Sequence, residues 1–233
     1  MTVIGDSAFE RQYGIVSVTL PETVTTIENS AFSRCKSMTK VTLPASLQQS
    51  ALYAFYECTN LQQVHITDLP AWCAIRFGDK YSNPVFYARN LYCGGKLVED
   101  LVIPAEVTNI GGFAFYPCES LTSVSFAGAV TDIGENAFSA CSNLTRVELP
   151  ESVKSIGSYT FQNCSALTSL TIPNSVTSIG DRAFGSCSSL TSVTIGDSVT
   201  SIGDHAFDDC SSLTSVVIPD SVTSIGSNAF YGC

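Results

Sequence analysis

A chain of 233 residues, 45% hydrophobic and 14% charged, can bury a core as one or two domains and is not a disordered tail. Its net charge of −10 argues against nucleic acid, because a protein that binds phosphates needs Lys and Arg to displace their counterions. No run of about 18 apolar residues occurs, so no membrane span is expected, and the opening "MTVIGDSAFE" sets Asp6 and Glu10 where a secretory apolar region would lie.

The first element is the tail of a unit, with Val3, Ile4 and Phe9, and this unit then repeats. Its aromatic recurs at Phe9, Phe32 and Phe55, then at Phe115, Phe138, Phe161, Phe184, Phe207 and Phe230, always 23 residues apart within a group. Counting back from Phe115 puts Tyr92 in the same slot, which makes ten slots with one interruption. The chain opens and closes in mid-unit, as a piece of a longer protein would. The unit beginning at Phe161 reads "FQNCSALTSLTIPNSVTSIGDRA". Leu170 and Ile172 have strand period, with Ser169 and Thr171 facing out. Pro173, which lacks an N–H, ends that strand. Val176 and Ile179 return the chain to the core, and Gly180 turns it. Glu28 and Ala51 fill the same slot as Gly180, so the glycine marks close backbone approach rather than a positive φ. No single unit buries its own apolar face; stacked units form a continuous core, each adding one parallel strand.

Between Phe55 and Phe115 the pattern breaks over residues 68–98, expected to form two short helices and a hairpin. Asp68 with Pro70, and Ser82 or Asn83 with Pro84, read as starts of helices of about two turns. "LYCGGKLV" reads as a hairpin turning at Gly94-Gly95. Trp72, Phe77, Tyr81, Phe86, Tyr87 and Tyr92 crowd this segment. They fill a local core, or Trp72, Tyr81 and Tyr87 form an aromatic platform for a sugar.

A cysteine follows the aromatic by three residues at Cys35, Cys58, Cys118, Cys141, Cys164, Cys187, Cys210 and Cys233. Unpaired and held in a row, these thiols do not converge as zinc ligands do. Aligned side chains about 4.8 Å apart miss disulfide geometry. Eight nucleophiles, none with its own base, would be redundant. They are expected to be buried, reduced packing groups. Cys73 and Cys93 lie outside this ladder.

The L-x-x-V-x-I-P phrase (Leu213, Val216, Ile218, Pro219) and the S-V-x-x-I-G-x-x-A-F phrase (Ser221, Val222, Ile225, Gly226, Ala229, Phe230) resemble the BspA-like, Treponema-type leucine-rich repeat over essentially the whole chain. The resemblance implies a β-rich α/β fold: one right-handed solenoid over residues 1–233, with a parallel sheet on its concave face and short helical or irregular convex segments. It also implies an extracellular or cell-surface module that binds a protein of a host or neighbouring cell.

On the outward strand positions the C-terminal half is nearly all Ser and Thr. Variety concentrates at Lys40, Gln63, His65, Asp100, Arg146 and Glu148, the first candidate binding residues. No catalytic motif, cofactor fingerprint or metal pattern is found, so no enzyme activity, cofactor or metal is expected. His205, with Asp204, Asp208 and Asp209 near it, occupies a variable turn slot shared with Arg182 and Asn228, and reads as a solvated turn residue. Three functions follow: a protein-recognition or adhesion module, a structural spacer, and a carbohydrate-binding unit built on the aromatics of the interruption. Without polar caps, the end faces are expected to self-associate end to end.

Overall fold

The computed structural model describes residues 2–233; Met1 lies outside the described residues. The first half contains β1 (Val3–Ile4), β2 (Ser17–Thr19), β3 (Thr26–Ile27), β4 (Lys40–Leu43), β5 (Gln49–Ser50) and β6 (Gln63–Ile66). Helix α1 (Leu69–Ala74), β7 (Arg76–Phe77), α2 (Val85–Ala88), β8 (Leu91–Cys93) and β9 (Lys96–Leu97) form the interruption. Regular turns resume with β10 (Asp100–Ile103), β11 (Asn109–Ile110), β12 (Ser123–Phe126), β13 (Asp132–Ile133), β14 (Arg146–Val147) and β15 (Ser155–Ile156). The chain ends through β16 (Ser169–Thr171), β17 (Ser178–Ile179), β18 (Ser192–Thr194), β19 (Ser201–Ile202) and β20 (Ser224–Ile225).

These strands form a parallel-sheet solenoid of about ten turns. Most turns contribute two strands, where the sequence pattern suggested one. The broad ladder runs β2-β4-β6-β8-β9, then β10-β12-β14, then β16-β18; the narrow ladder runs β1-β3-β5-β7, then β11-β13, then β15-β17-β19-β20. The second strand of each turn is a two-residue rung such as Ser178–Ile179, too short to show as an alternating pattern in the sequence. Away from the interruption, pairing joins residues one repeat apart, as in Ser17↔Lys40 and Ile179↔Ile202. Residues 213–218 form no strand, and Val217 of the expected outward column is 80% exposed.

The core is a set of columns running along the solenoid axis. Phe rings of successive turns stack nearly parallel, with centroids 5.1 Å apart for Phe115–Phe138 and 5.5 Å for Phe161–Phe184. The thiols stack beside them and also bond. Except at Cys118, whose Sγ lies 3.2 Å from Ser120 Oγ, the ladder Sγ atoms reach the carbonyl of the Phe in the preceding turn: Cys58 to Phe32 O at 3.1 Å, Cys164 to Phe138 O at 3.3 Å, Cys187 to Phe161 O at 3.4 Å. That carbonyl already accepts the N–H of the Cys in its own turn, as Phe161 O does from Cys164. A thiol is small and apolar enough for the core and can still donate a weak bond to the second lone pair. All ten cysteines are free; of the ladder, only Cys233 is exposed. The turning glycines mark close approach. A Cβ on Gly203 would lie 2.6 Å from the backbone N of Asp181, and one on Gly180 2.6 Å from that of Ser158.

The added residues of the interruption are spread over three places. Helix α1 sits between a broad strand and a narrow one, and Asp68 caps it by accepting the Ala71 N–H. Helix α2 sits between β7 and β8 and is a single turn, shorter than the sequence suggested. Asn83 Oδ1 accepts the Val85 N–H at its start. The third addition is the β8–β9 hairpin, which turns on Gly94 (φ 57) and Gly95 (φ 80).

Tyr92 does not occupy the aromatic slot. It lies in β8, paired with His65 of the broad ladder. Phe55 N–H bonds Tyr81 O where Phe32 N–H bonds Ala54 O, so Tyr81 stands in the Ala slot and Ser82 in the Phe slot. No ring spans from Phe55 to Phe115. Ser82 and Asn83, both fully buried, fill the gap with Trp72. Asn83 Nδ2 donates to the carbonyls of Phe113 and Ala114, Trp72 Nε1 donates to Ala114 O, and Ser50 Oγ donates to Ser82 O. Every one of these buried polar groups is thus matched.

Candidate binding face on the broad ladder

On a strand, alternate side chains face the same way, so pairing register decides which outward groups meet. β4, β6 and β8 lie side by side, which brings Lys40 beside Gln63 and sets Thr42, His65 and Tyr92 in one row. The His65 and Tyr92 rings stack at 4.7 Å with 11° between planes. Gln63 Oε1 lies 3.1 Å from His65 Nε2 and orients the imidazole. Partial burial, with the Lys40 ammonium nearby, lowers the His65 pKa, so the ring is neutral at neutral pH. Lys40 forms no ion pair among the described residues.

Beyond the hairpin, Asp100, Ser123 and Arg146 continue a row on β10, β12 and β14. Asp100 Oδ1 accepts from Ser123 Oγ at 2.6 Å and Thr122 Oγ1 at 3.1 Å, and these bonds hold its pKa below the usual carboxylate value. Arg146 and Glu148 neutralise each other in a surface ion pair. The six predicted residues therefore fall into two groups: Lys40, Gln63 and His65 are brought together, while Asp100, Arg146 and Glu148 lie across the hairpin.

Sequence reasoning missed three contributors. Tyr92 was assigned to the wrong column, although the hairpin reading of "LYCGGKLV" already made it a strand residue. Leu97, 37% exposed, and Val102, 55% exposed, flank a groove of about 420 Å³ between the hairpin and β10. Of the second candidate group, Trp72 is 1% exposed with its N–H engaged, so it presents no face to a ligand. Tyr87 is half-buried and its hydroxyl accepts the Glu57 N–H at 2.7 Å; with burial the larger cause, its pKa is pushed up to about 12. Tyr81 joins a surface cluster with Tyr53, Tyr56 and Phe86. The Lys80 Nζ lies 5.0 Å above the Tyr81 ring.

His205 Nδ1 lies 3.2 Å from Asp208 Oδ2, which also receives Arg182 at 3.0 Å. Like Arg182 and Asn228, His205 has a positive φ, so its slot is a structural turn position. Among the described residues no group of three His, Cys, Asp or Glu could hold a metal ion, and no helix is long and apolar enough to cross a membrane.

The "BspA type Leucine rich repeat region" profile matches six copies, over residues 1–71, 88–214 and 183–233. The chain belongs to the BspA-type leucine-rich repeat family. The stretch the profile omits, 72–87, falls inside the interruption. No curated protein matches the chain. Among solved structures it is similar to a leucine-rich repeat protein from Eubacterium ventriosum, at 21% identity over 99% of this chain and 80% of the other, with a TM-score of 0.63. It is also similar to the pneumococcal vaccine antigen PcpA, at 17% identity over 97% and 79%, TM-score 0.51. A leucine rich cell surface protein from Faecalibacterium prausnitzii matches at 26% identity over 100% and 74%, TM-score 0.49. Membership in a leucine-rich repeat family supports a protein-interaction type of module.

Proposed function

We propose that this BspA-type solenoid is a non-catalytic recognition module at the cell surface or outside the cell, binding a protein of a host or neighbouring cell. Its binding face is the broad ladder at the interruption. The observation that carries this reading is the His65–Tyr92 stack, set beside an unpaired Lys40 and the exposed Leu97 and Val102. Interfaces concentrate their energy in such aromatic and apolar anchors with a few polar neighbours. Asp100, Arg146 and Glu148 form the polar rim. The Ser- and Thr-faced turns from β16 onward act as a spacer that sets this face at a distance from whatever adjoins it.

The test is binding of the immobilised protein to a panel of purified surface proteins, with a glycan array in parallel. Tyr92→Ala and Lys40→Glu are each expected to weaken a protein interaction about tenfold or more, while Ser192→Ala leaves it unchanged. Saturable glycan binding lost on Tyr81→Ala would favour the carbohydrate reading instead. The end faces, with Val3 40% and Phe9 36% exposed at one end and Ile225 48% and Tyr231 66% at the other, suit stacking of a further layer, from the same chain or a second copy. Concentration-dependent sedimentation tests self-association.

A further inference from the structure

The narrow ladder also breaks at the interruption, and there it leaves a cleft. β7 pairs only with β5, and β11 only with β13. In the regular turns the N–H of the Gly slot bonds the Ile carbonyl of the preceding turn, as from Gly134 to Ile110 O at 2.9 Å and Gly203 to Ile179 O at 2.8 Å. At Gly111 that bond goes instead to Cys73 O, in the last turn of α1, at 2.7 Å. The helix thus takes the place of the neighbouring rung and holds β11 away from β7. The space between them is an open cleft of about 510 Å³.

Its lining is specific. Phe77, Val107 and Ile110 are buried apolar residues. Around the mouth Arg76 lies on β7, while Glu106 and Asp132 lie on the opposite side; all three are exposed and none is in an ion pair among the described residues. An unpaired strand edge is a template for another strand. Two free carboxylates against one guanidinium, on a chain of net charge −10, favour a cationic visitor.

We propose that this cleft receives an extended basic segment of a partner protein, which adds as a strand along β11 over Thr108–Ile110, the part of its edge that α1 leaves uncovered. An apolar side chain of the segment rests on the cleft wall at Ala74 and the edge of Phe77, and a Lys or Arg faces Glu106 and Asp132. The site is separate from the broad-ladder face, so either can fail while the other stands.

The protein carries its own reporter. Trp72, the one tryptophan in the sequence, lies edge-on to Phe77 with centroids 5.3 Å apart. The probe is the capped peptide Ser-Val-Thr-Lys-Ile-Ser, which follows the alternation of the narrow-ladder segments and supplies the cation. Titration should give a saturable change in Trp72 emission that weakens as salt is raised. Asp132→Lys, at an exposed site, should weaken it about tenfold. Ala74→Arg, an exposed residue at the cleft wall, should abolish it, as should N-methylation of the peptide's Ile. Tyr92→Ala should leave it intact. No saturable response, or a response equal in Ala74→Arg or with the N-methylated peptide, overturns the proposal.

Discussion

The turns from β12 to β20 and the stretch from β6 to β11 solve one burial problem in two ways. In the regular turns each layer presents the same Phe, Cys, Leu and Ile to its neighbour, so rings stack at 5.1–5.5 Å and thiols bond carbonyls in series. Any such layer could stand in for the next. At the interruption the ring is missing, and one indole and one buried amide match the freed carbonyls. That solution occurs once in the chain and cannot be exchanged. The regular turns tolerate a uniform Ser and Thr exterior because their energy is inside. The interruption breaks both ladders and places open strand edges, a stacked His–Tyr pair and unpaired charges at one level of the solenoid. Irregularity in the core and individuality on the surface therefore coincide.

The sharpest way to test this contrast is to remove one ring from the regular stack. Phe161 is fully buried between Phe138 and Phe184. Phe161→Ala is expected to cost about 3–5 kcal/mol in denaturant unfolding. The damage should spread to the adjacent turns, since each layer is held by its neighbours, and hydrogen exchange would show protection lost from β14 to β18 first. A melt unchanged from wild type would mean that the layers are not coupled through the rings.

Asn83→Ala probes the other solution. The substitution removes the acceptor of the buried Val85 N–H and one donor each from Phe113 O and Ala114 O, which keep the Tyr116 N–H and Trp72 Nε1. One unmatched buried polar group costs about 1–3 kcal/mol, so a loss of about 2 kcal/mol is expected, below that for Phe161. Asn83→Asp should be worse than Asn83→Ala, because a carboxylate facing two carbonyls cannot donate as the amide does. If Asp is tolerated better than Ala, the amide bonds do not hold the gap.

How far the sequence disclosed this arrangement depends on periodicity. The 23-residue repeat, the buried Phe and Cys columns, the hairpin at Gly94-Gly95 and the cap at Asp68 are local or periodic signals, and they were readable. The narrow ladder was not, because a two-residue strand leaves no alternation to detect. Tyr92 was misplaced because extending a fixed period across an insertion assumes that the added residues lie in one place, whereas they divide among α1, α2 and the hairpin. Trp72 as a ligand platform fails for a related reason: composition marks aromatic crowding but not which rings are enclosed. The stack of His65 on Tyr92 depends on strand register, which only the three-dimensional pairing supplies.

Thiol chemistry separates the two regions more gently. Burial pushes Cys58, Cys73 and Cys210 up to about 12 from an ordinary value of 9.0, and it raises Cys141 and Cys164 strongly. Alkylation requires thiolate, so native protein at mildly alkaline pH should react at Cys233 and Cys93, which are exposed and half-buried, and at the other eight only after denaturation. The linkage has a definite sign. Each raised thiol contributes stability that is fully present below about pH 9 and is lost as pH rises toward about 12, because the unfolded chain gives up its protons first. Unfolding free energy should therefore fall across that window. Cys164→Ala and Cys187→Ala variants should show a shallower fall; a flat profile in the wild type would contradict the burial of the ladder.

The smallest effect is expected where Arg146 meets Glu148. The two lie on the outward face, their side chains 71% and 51% exposed, and water competes for both. Exposed pairs of this kind are worth about 0–1 kcal/mol. A double-mutant cycle with Arg146→Ala and Glu148→Ala should give a coupling near the bottom of that range, shrinking further in high salt. The result decides whether the outer face is under structural constraint. If the coupling is negligible, residues of the broad ladder's exterior can change without cost to the fold, which is the freedom a recognition surface needs and the buried columns lack. A coupling comparable to the loss at Asn83 would mean that this pair is part of the scaffold, and the binding face would then contract to Lys40, Gln63, His65 and Tyr92 with the exposed Leu97 and Val102.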